Sequence, residues 1–214
     1  MPIVSCQAIL FDLDGVLVDS RETVERIWHQ WAETRGLNPN DFIRVAHGRR
    51  ISETLRMVAP HLDIDREVAE LDAMELVVTT GTRVAPGAAT ILNTLPRDRW
   101  GIVTSGSDAV ARLRLGTAGL PVPDVFITAE RVKRGKPDPQ GYAIGAEQLG
   151  RGPAHCLVFE DAPPGVAAGK AAGMRVVALL TTHQADALAS ADARIPDLSH
   201  VTVRAGGPNM LVEF

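Results

Sequence analysis

Short apolar segments with strand composition alternate with longer helical patterns over much of this chain. The apolar segments occupy residues 7–11, 99–104, 125–128, 155–159 and 175–180. Helical patterns lie between the later segments, at residues 87–95, 107–118, 139–149 and 163–173. Apolar runs of this length, separated by helices, are typical of strands buried on both faces of a parallel sheet. The pattern predicts an α/β fold with a Rossmann-like parallel sheet flanked by helices.

One long region breaks this alternation. Residues from about 16 to 83 have helical patterns throughout, and the first helix carries apolar residues along one face: Val24, Ile27, Trp28 and Trp31. The region is too long for a simple connecting loop. We therefore predict a core domain of residues 1–15 and 84–214 and a small inserted α-helical cap domain of residues 16–83. Because the insert directly follows the first strand, we expect the cap to lie above the end of that strand.

The last residues have the character of a β-hairpin. The segment VTVRAGGPNMLVEF places Gly206, Gly207, Pro208 and Asn209 at a turn between two strand-like runs. We expect this hairpin to extend or edge the sheet, and we assign it no chemistry.

Composition narrows the classes of function. The 214 residues are 45% hydrophobic, which is enough for a substantial core, and the formal net charge is −4. A negative chain with few basic clusters argues against nucleic-acid or membrane partners, because such binding depends on grouped lysines and arginines. The first residues contain no signal-peptide pattern. We predict a cytoplasmic protein with a small-molecule partner, and the oligomeric state stays open, with a monomer plausible.

The first strand ends in two closely spaced carboxylates. In AILFDLDG, the side chains of Asp12 and Asp14 point the same way, because residues i and i+2 of an extended chain share a face. Two unpaired carboxylates in one place repel each other unless a cation binds between them or one of them holds a proton. Gly15 permits the sharp turn that this geometry needs. Seen alone, the motif is explained equally well by a simple turn.

Two other strands also end in polar groups. Ser105 and Gly106 follow the second strand just before a helix, where a hydroxyl and backbone N–H groups bind anions well. The fourth strand ends in a second acidic pair. Ligands of open α/β sheets bind beyond the carboxyl ends of the strands, so these groups can converge. Oxygen ligands suit Mg²⁺, and we predict a magnesium site formed by Asp12, the backbone carbonyl of Asp14, Glu160 and Asp161.

The segment RVKRGKPDP, residues 131–139, is the only dense basic run. We interpret most of its charges as part of a solvated loop. Lys136 differs, because the prolines that follow it stiffen the chain and can hold its ammonium group in place. A fixed ammonium can neutralise a carboxylate and a phosphate group together.

Four motifs, in this order, resemble those of the haloacid dehalogenase (HAD) superfamily: DLDGVLVDS, TSGS, KRGKPDP and FEDAPPGVAAGKAAGM. The resemblance covers nearly the whole chain. It is strongest to the β-phosphoglucomutase-like subfamily with a helical cap, and within it to bacterial sugar phosphatases and to fungal glycerol-phosphate and 2-deoxyglucose-6-phosphate phosphatases. It implies a Rossmann-like core with an inserted cap, Mg²⁺ as cofactor, and hydrolysis of small sugar or polyol phosphate monoesters.

The resemblance also implies a role for each motif residue. Asp12 is expected to attack phosphorus and form an aspartyl-phosphate. Asp14 is expected to protonate the leaving oxygen and then to activate the attacking water. Three groups are expected to hold the remaining phosphate oxygens: Ser105, the Gly106 N–H and Lys136.

The cap segment AHGRR is similar to segments of sugar phosphatases. We expect its loop to contact the substrate through His47, Gly48, Arg49 and Arg50. An arginine on a loop above the site can reach sugar hydroxyls or the phosphate group. The alternative is a surface loop whose arginines pair with acidic residues.

Three other functions compete with this interpretation. A sugar phosphomutase of the same superfamily shares the four motifs, but the mutases considered carry a histidine twelve residues after the nucleophile, where this chain has Val24. A signalling phospho-acceptor module has its acidic pair before its acceptor aspartate and has no cap. A non-enzymatic descendant is expected to lose Asp12 or Asp14 early, and both are present.

Overall fold

The computed structural model of the protein describes residues 2–78 and 80–214. Met1 and Thr79, which fall in the predicted core and cap domains respectively, lie outside the described residues. The described chain forms eleven strands: β1 (Ile3–Cys6), β2 (Ala8–Phe11), β3 (Val18–Asp19), β4 (Arg83–Val84), β5 (Trp100–Val103), β6 (Val125–Ile127), β7 (Cys156–Glu160), β8 (Arg175–Leu179), β9 (Ala193–Ile195), β10 (Thr202–Gly206) and β11 (Asn209–Glu213).

Eight α-helices accompany these strands in the described residues: α1 (Arg21–Glu33), α2 (Pro39–Ala46), α3 (Ile51–Val58), α4 (Ile64–Val77), α5 (Ala88–Thr94), α6 (Asp108–Thr117), α7 (Gln140–Gln148) and α8 (Pro163–Ala171). Short 3₁₀ turns connect several elements. None of the described helices combines the length and the apolar character that crossing a bilayer requires.

The central sheet has six parallel strands in the order β6-β5-β2-β7-β8-β9. This confirms the predicted fold class, and the five predicted strands agree with the observed ones to within about two residues. The register sets the position of the polar strand ends. Phe11 lies opposite Ile102 on one side and Phe159 on the other. The residues that follow in β2, β5 and β7 therefore reach the same edge of the sheet together.

The middle strand of the sheet is apolar because both of its faces are covered. Ile9 and Phe11 belong to the hydrophobic cluster on one face, and Ala8 and Leu10 belong to the cluster on the other. All four are completely buried. Each large side chain buried in this way contributes about 1.5–3 kcal/mol of transfer free energy. This packing fixes β2, and with it the position of the acidic residues that follow.

Helices α1–α4, called the cap below, form the insert. The insert leaves and re-enters the core through a two-stranded ribbon, in which β3 pairs antiparallel with β4. The cap has a hydrophobic cluster of its own, centred on three mutually packed aromatic rings: Trp28, Trp31 and Phe42. Trp31 also donates a hydrogen bond of 2.9 Å to the buried Glu67. The region is helical as predicted, and its assignment as a separate domain stays a prediction.

The C-terminal hairpin forms, but it does not extend the central sheet. Strands β10 and β11 pair antiparallel, and β11 also pairs with β1, giving a separate three-stranded sheet in the order β1-β11-β10. The expectation that the hairpin edges the main sheet is therefore wrong. A bend at Gln7 separates β1 from β2, so β1 provides a pairing edge outside the main sheet.

Candidate active site

Three carboxylates meet at the carboxyl ends of β2 and β7. Asp12 follows β2 directly, Glu160 is the last residue of β7, and Asp161 comes next. Each offers one oxygen, and these three oxygens all lie within 4.8 Å of one another. All three residues are buried. The structure thus brings together two strand ends that are almost 150 residues apart in the sequence, as the parallel register requires.

Lys136 lies beneath this cluster. Its Nζ donates hydrogen bonds to Asp12 Oδ1 at 2.7 Å, to Glu160 Oε1 at 2.6 Å and to the Val103 carbonyl at 3.0 Å. All three N–H groups of the ammonium therefore have acceptors. Burial alone lowers the pKa of Lys136, but the charges of the two carboxylates outweigh this effect and raise it. Lys136 is consequently a fixed positive charge.

The cluster keeps an excess of negative charge, since it contains three carboxylates and one ammonium. Burial raises the pKa of Asp12 to about 7, although Lys136 acts in the opposite direction. Burial, with Glu160 and Asp12 adding repulsion, raises the pKa of Asp161 well above its ordinary value. A buried, electron-rich set of hard oxygen donors is what a divalent cation requires. The residues present therefore fit a metal site.

Glu160 is held on both of its oxygens. Oε1 accepts hydrogen bonds from Lys136 and from the Tyr142 hydroxyl, the latter at 2.7 Å, and Oε2 accepts one from the Asp161 N–H at 3.0 Å. The side chain is fully buried. These bonds hold the Glu160 side chain in place, and Glu160 in turn helps to hold Lys136. Direct contact between Glu160 and a metal stays a prediction. Sequence reasoning missed Tyr142, whose only signal is its place on the helix that follows the lysine motif.

Gly15 allows the loop that follows β2 to approach Asp161 closely. Gly15 has φ +77°, and a Cβ at this position would lie 2.1 Å from Asp161 Oδ2. The hydroxyl of Thr182 donates to that same carboxylate oxygen, and the hydroxyl of Thr181 donates to the Gly15 carbonyl at 2.6 Å. The two threonines, which follow β8, were not identified from the sequence. They hold the Asp161 carboxylate against the loop that follows β2.

Asp14 lies beside the cluster, and both of its oxygens accept hydrogen bonds. Ser20 Oγ donates to Oδ1 at 2.6 Å, and Arg114 Nη1 donates to Oδ2 at 2.8 Å. Part of the side chain remains open to the space above. Arg114, on α6, was not identified from the sequence, because nothing in its local pattern distinguishes it from a surface arginine.

The donors predicted after β5 are engaged within the protein. Ser105 Oγ donates to the Gly48 carbonyl of the cap at 3.0 Å, and the Gly106 N–H donates to Thr104 Oγ1 at 3.1 Å. Both Ser105 and Gly106 nevertheless line the space above Asp12. Their assignment to phosphate binding stays a prediction, in which these internal bonds are exchanged for bonds to the phosphate.

A cavity of about 350 Å³ separates the core from the cap. The acidic site contributes Asp12, Asp14 and Asp161 to its lining, and the cap contributes His47, Gly48 and Arg49. The ring of His47 also meets that of His183 edge-on, at a centroid distance of 5.9 Å. Burial lowers the pKa of His47. The predicted cap loop thus lies directly above the predicted site.

Arg50 differs from its neighbours, because its guanidinium group is directed away from the cavity. It pairs with Glu53 at 2.6 Å and donates to the carbonyls of Val132 and Lys133 at 3.1 and 3.2 Å. Helix α3 begins immediately after Arg50, which turns this side chain towards the lysine-motif loop. The structure therefore places Arg50 in the contact between cap and core, and its expected contact with substrate stays a prediction.

Comparisons with known proteins agree with this geometry. Residues 6–173 match the family model of haloacid dehalogenase-like hydrolases. Hexitol phosphatase A of Escherichia coli is 44% identical over 203 residues, covering 92% of this chain and 94% of that protein. Glycerol-1-phosphate phosphohydrolase 2 of Saccharomyces cerevisiae is 34% identical over 215 residues, covering 94% of this chain and 86% of that protein. The crystal structure of a hydrolase from Pseudomonas syringae has a TM-score of 0.82 at 24% identity, covering 90% of this chain and 94% of that one, which supports the fold.

Proposed function

The chain belongs to the haloacid dehalogenase-like hydrolase family, and from this premise we propose that it hydrolyses small sugar or polyol phosphate monoesters with Mg²⁺ as cofactor. One observation carries the proposal. The oxygens of Asp12, Glu160 and Asp161 lie within 4.8 Å of one another, and Asp12, Asp14 and Asp161 line the cavity between core and cap. A nucleophile, a metal-ligand set and an acid–base group thus share one enclosed space.

The first chemical step is phosphoryl transfer to Asp12. A carboxylate oxygen of Asp12 attacks phosphorus while the bond from phosphorus to the ester oxygen breaks. The proton of the Asp14 carboxyl group passes to that oxygen, and the alcohol leaves. The product on the enzyme is an aspartyl-phosphate, which divides one difficult hydrolysis into two easier steps.

The second step returns the enzyme to its starting state. Asp14, now a carboxylate, takes a proton from water, and the water oxygen attacks phosphorus as the bond to Asp12 breaks. Inorganic phosphate leaves, and Asp14 holds the proton needed for the next cycle. In the structure Lys136 Nζ lies 2.7 Å from Asp12 Oδ1, where its charge offsets part of the local negative charge.

The metal would be held by Asp12, the backbone carbonyl of Asp14 and Asp161, with Glu160 as a further candidate ligand. Bound there, Mg²⁺ supplies positive charge that lowers the repulsion between an anionic nucleophile and an anionic phosphate. The raised pKa values of Asp12 and Asp161 support this assignment, because they reflect uncompensated charge in a buried site.

The proposed substrate class rests on the cavity and on the relatives. A space of about 350 Å³ lies within the range usual for small-molecule sites, and its cap side carries hydrogen-bonding groups suited to hydroxyls. The two curated relatives described above are named for hexitol phosphate and glycerol-1-phosphate hydrolysis. We extend that class, but no single substrate, to this chain. The cytoplasmic location stays a prediction, and the oligomeric state stays open.

Hydrolysis is favoured over phosphomutase activity by the residue at position 24. Val24 contributes to the cavity wall and offers no group that can transfer a proton. The two activities separate in one assay, in which a sugar 1-phosphate and a trace of the matching bisphosphate are supplied. Release of inorganic phosphate supports hydrolysis, and formation of the isomeric sugar phosphate supports the mutase.

The test of the proposed function is a panel of sugar and polyol monophosphates, ranked by kcat/KM with Mg²⁺ and again with EDTA. We expect Mg²⁺-dependent phosphate release that Asp12→Asn abolishes. Asp124→Asn, at an exposed position on the core surface, is the matched control and should retain activity. Activity that persists in EDTA, or in Asp12→Asn, contradicts the proposal.

A further inference from the structure

We propose that Arg114 is the positioning residue for the acid–base group Asp14, and that Glu75 of the cap holds Arg114 in place. The inference rests on the proposed function, since it assigns a partner to the proton-transfer residue of that mechanism. It concerns a contact between core helix α6 and cap helix α4.

The first observation is that Arg114 and Ser20 together determine the orientation of Asp14. Arg114 Nη1 lies 2.8 Å from Asp14 Oδ2, and Ser20 Oγ lies 2.6 Å from Oδ1. A carboxylate held at both oxygens cannot rotate about its terminal bond without losing a hydrogen bond. General acid–base catalysis depends on such alignment, because the proton must face the leaving oxygen and later the attacking water.

The second observation is that Arg114 also faces the cap. Its Nη2 lies 3.1 Å from Glu75 Oε2, at the cavity wall, and both side chains are about nine-tenths buried. Nη2 makes no hydrogen bond of good geometry within the described residues. The guanidinium thus lies between a carboxylate of the core and one of the cap. Asp72, one turn earlier on α4, adds further negative charge on the same side.

A purely structural explanation fits this arrangement poorly. Replacing a buried ion pair by apolar side chains of similar size is often neutral or stabilising, so a buried Arg–Glu contact is weak evidence for a contribution to stability. The other buried positions on α6 are apolar: Val110, Ala111 and Leu115. A leucine at position 114 would suit packing alone. A buried guanidinium at the edge of the cavity suits the orientation of Asp14.

The consequence for catalysis depends on the leaving group. An alkoxide from a polyol phosphate leaves only with a proton, so its release requires Asp14 in the correct orientation. p-Nitrophenolate leaves readily without a proton, so formation of the aspartyl-phosphate from p-nitrophenyl phosphate depends little on Asp14. Hydrolysis of the aspartyl-phosphate needs Asp14 as a base for either substrate. Loss of Arg114 should therefore slow different steps for the two substrates.

The test compares Arg114→Gln with Arg112→Gln, using glycerol 1-phosphate and p-nitrophenyl phosphate with Mg²⁺. Arg112 lies on the same helix but is exposed and pairs with Asp108 at the surface, which makes it a matched control. For Arg114→Gln we expect kcat on glycerol 1-phosphate to fall roughly 100-fold, within the range of a lost acid–base group. With p-nitrophenyl phosphate we expect a rapid release of about one equivalent of p-nitrophenol per protein molecule, followed by slow turnover.

Two more variants cover the case in which Arg114→Gln folds poorly. Arg114→Lys keeps the charge and should retain more activity on glycerol 1-phosphate than Arg114→Gln. Glu75→Gln loosens the cap-side contact and should lower kcat on glycerol 1-phosphate by a smaller factor than Arg114→Gln does, with the same initial release of p-nitrophenol from p-nitrophenyl phosphate. An unchanged kcat on glycerol 1-phosphate with no initial release in Glu75→Gln removes the cap from the proposal and overturns it as stated.

Equal losses on both substrates in Arg114→Gln, with no initial release of p-nitrophenol, overturn the positioning role. The same release in Arg112→Gln does so too. These results are distinct from failure of the proposed function. In that case the unmodified protein itself shows no Mg²⁺-dependent hydrolysis of any sugar or polyol phosphate.

Discussion

Substitution of Gly15 by alanine offers a sharp test of the metal site. Gly15 lies between Asp14 and the loop that leads into the cap, with φ +77°. An added Cβ would lie 2.1 Å from Asp161 Oδ2, whereas ordinary van der Waals contact begins at 3.4 Å. The carboxylate of Asp161 or the loop that follows β2 must therefore move, and we expect this movement to change the position of Asp161 relative to Asp12.

Two contributions determine how much Gly15→Ala destabilises the folded protein. The left-handed backbone conformation costs a residue with a Cβ roughly 1–2 kcal/mol. Overpacking in a tightly packed site adds about 1–3 kcal/mol. Metal affinity should suffer more than stability, because Mg²⁺ requires nearly ideal octahedral geometry and the displacement is on the order of 1 Å. We expect the Kd for Mg²⁺ to rise at least about tenfold, in the range found when the surroundings of a metal ligand are altered.

Gly173→Ala is the matched control. Gly173 has φ +78°, and a Cβ at that position meets nothing within 4 Å. The two variants share the backbone cost and differ in the overlap with Asp161 and with Thr182, whose Cγ2 would lie 2.9 Å from the Cβ of Gly15→Ala. Mg²⁺ titration followed by phosphate release, together with denaturant unfolding of each variant in EDTA, measures both contributions. If Gly15→Ala binds Mg²⁺ as tightly as Gly173→Ala does, Asp161 is not a metal ligand in the arrangement described.

Three further predictions follow from the buried charges and the cavity. Tyr142→Phe removes one donor to the buried Glu160, and we expect a loss of about 1.5–3 kcal/mol in the free energy of unfolding, measured with denaturant in EDTA; an unchanged midpoint argues against this hydrogen bond. Burial raises the pKa of Asp12 from 3.8 to about 7. Between these two pH values the ion-free folded protein holds a proton on Asp12 that the unfolded chain has lost. The protonation of Asp12 therefore stabilises the fold fully below pH 3.8, and this contribution is lost as the pH rises towards 7. Mg²⁺ should accordingly raise Tm more at about pH 8 than at about pH 5, and thermal melts with equal shifts at both pH values contradict this. Arg49 lines the cavity, so Arg49→Ala should raise KM for a polyol phosphate more than for p-nitrophenyl phosphate; Arg56→Ala, at an exposed position on α3, is the control, and equal KM changes for the two substrates count against a role in specificity.

The parts of the site that lie at strand ends could be predicted from sequence, and the reason is geometric. A parallel sheet aligns the carboxyl ends of its strands, so the polar residues that directly follow neighbouring strands lie close together at one edge of the sheet. Asp12, Ser105 and Asp161 all satisfy this condition, and all line the cavity. Their positions follow from strand register alone, and no knowledge of side-chain packing is needed.

Residues that act through a helix face or a helix terminus could not be predicted in the same way. Tyr142 and Arg114 lie on helices, where a shift of one or two positions along the sequence decides whether a side chain meets the site or the solvent. Arg50 illustrates the difficulty. The cap loop was expected above the site, but the start of α3 directs Arg50 to the carbonyls of Val132 and Lys133, more than 80 residues later in the chain. Local sequence contains no information about acceptors at that distance.

The contacts between cap and core involve the same residues as the proposed chemistry, which couples cap docking to catalysis. Ser105 donates to the Gly48 carbonyl, and a Cβ at Gly48 would lie 2.8 Å from the Cβ of Ala162, which follows the acidic pair of β7. On the opposite side of the cavity, Glu75 contacts Arg114, which in turn binds Asp14. Movement of the cap would therefore change hydrogen bonds at the proposed phosphate-binding group Ser105 and at the proposed acid–base group Asp14 together. The three carboxylates lie on core elements, whereas the loop that carries Lys136 also contacts the cap, because the Gly135 N–H donates to Glu53 Oε1 at 2.9 Å. Changes in the cap that leave this contact in place should therefore alter the choice of alcohol while leaving the metal site intact.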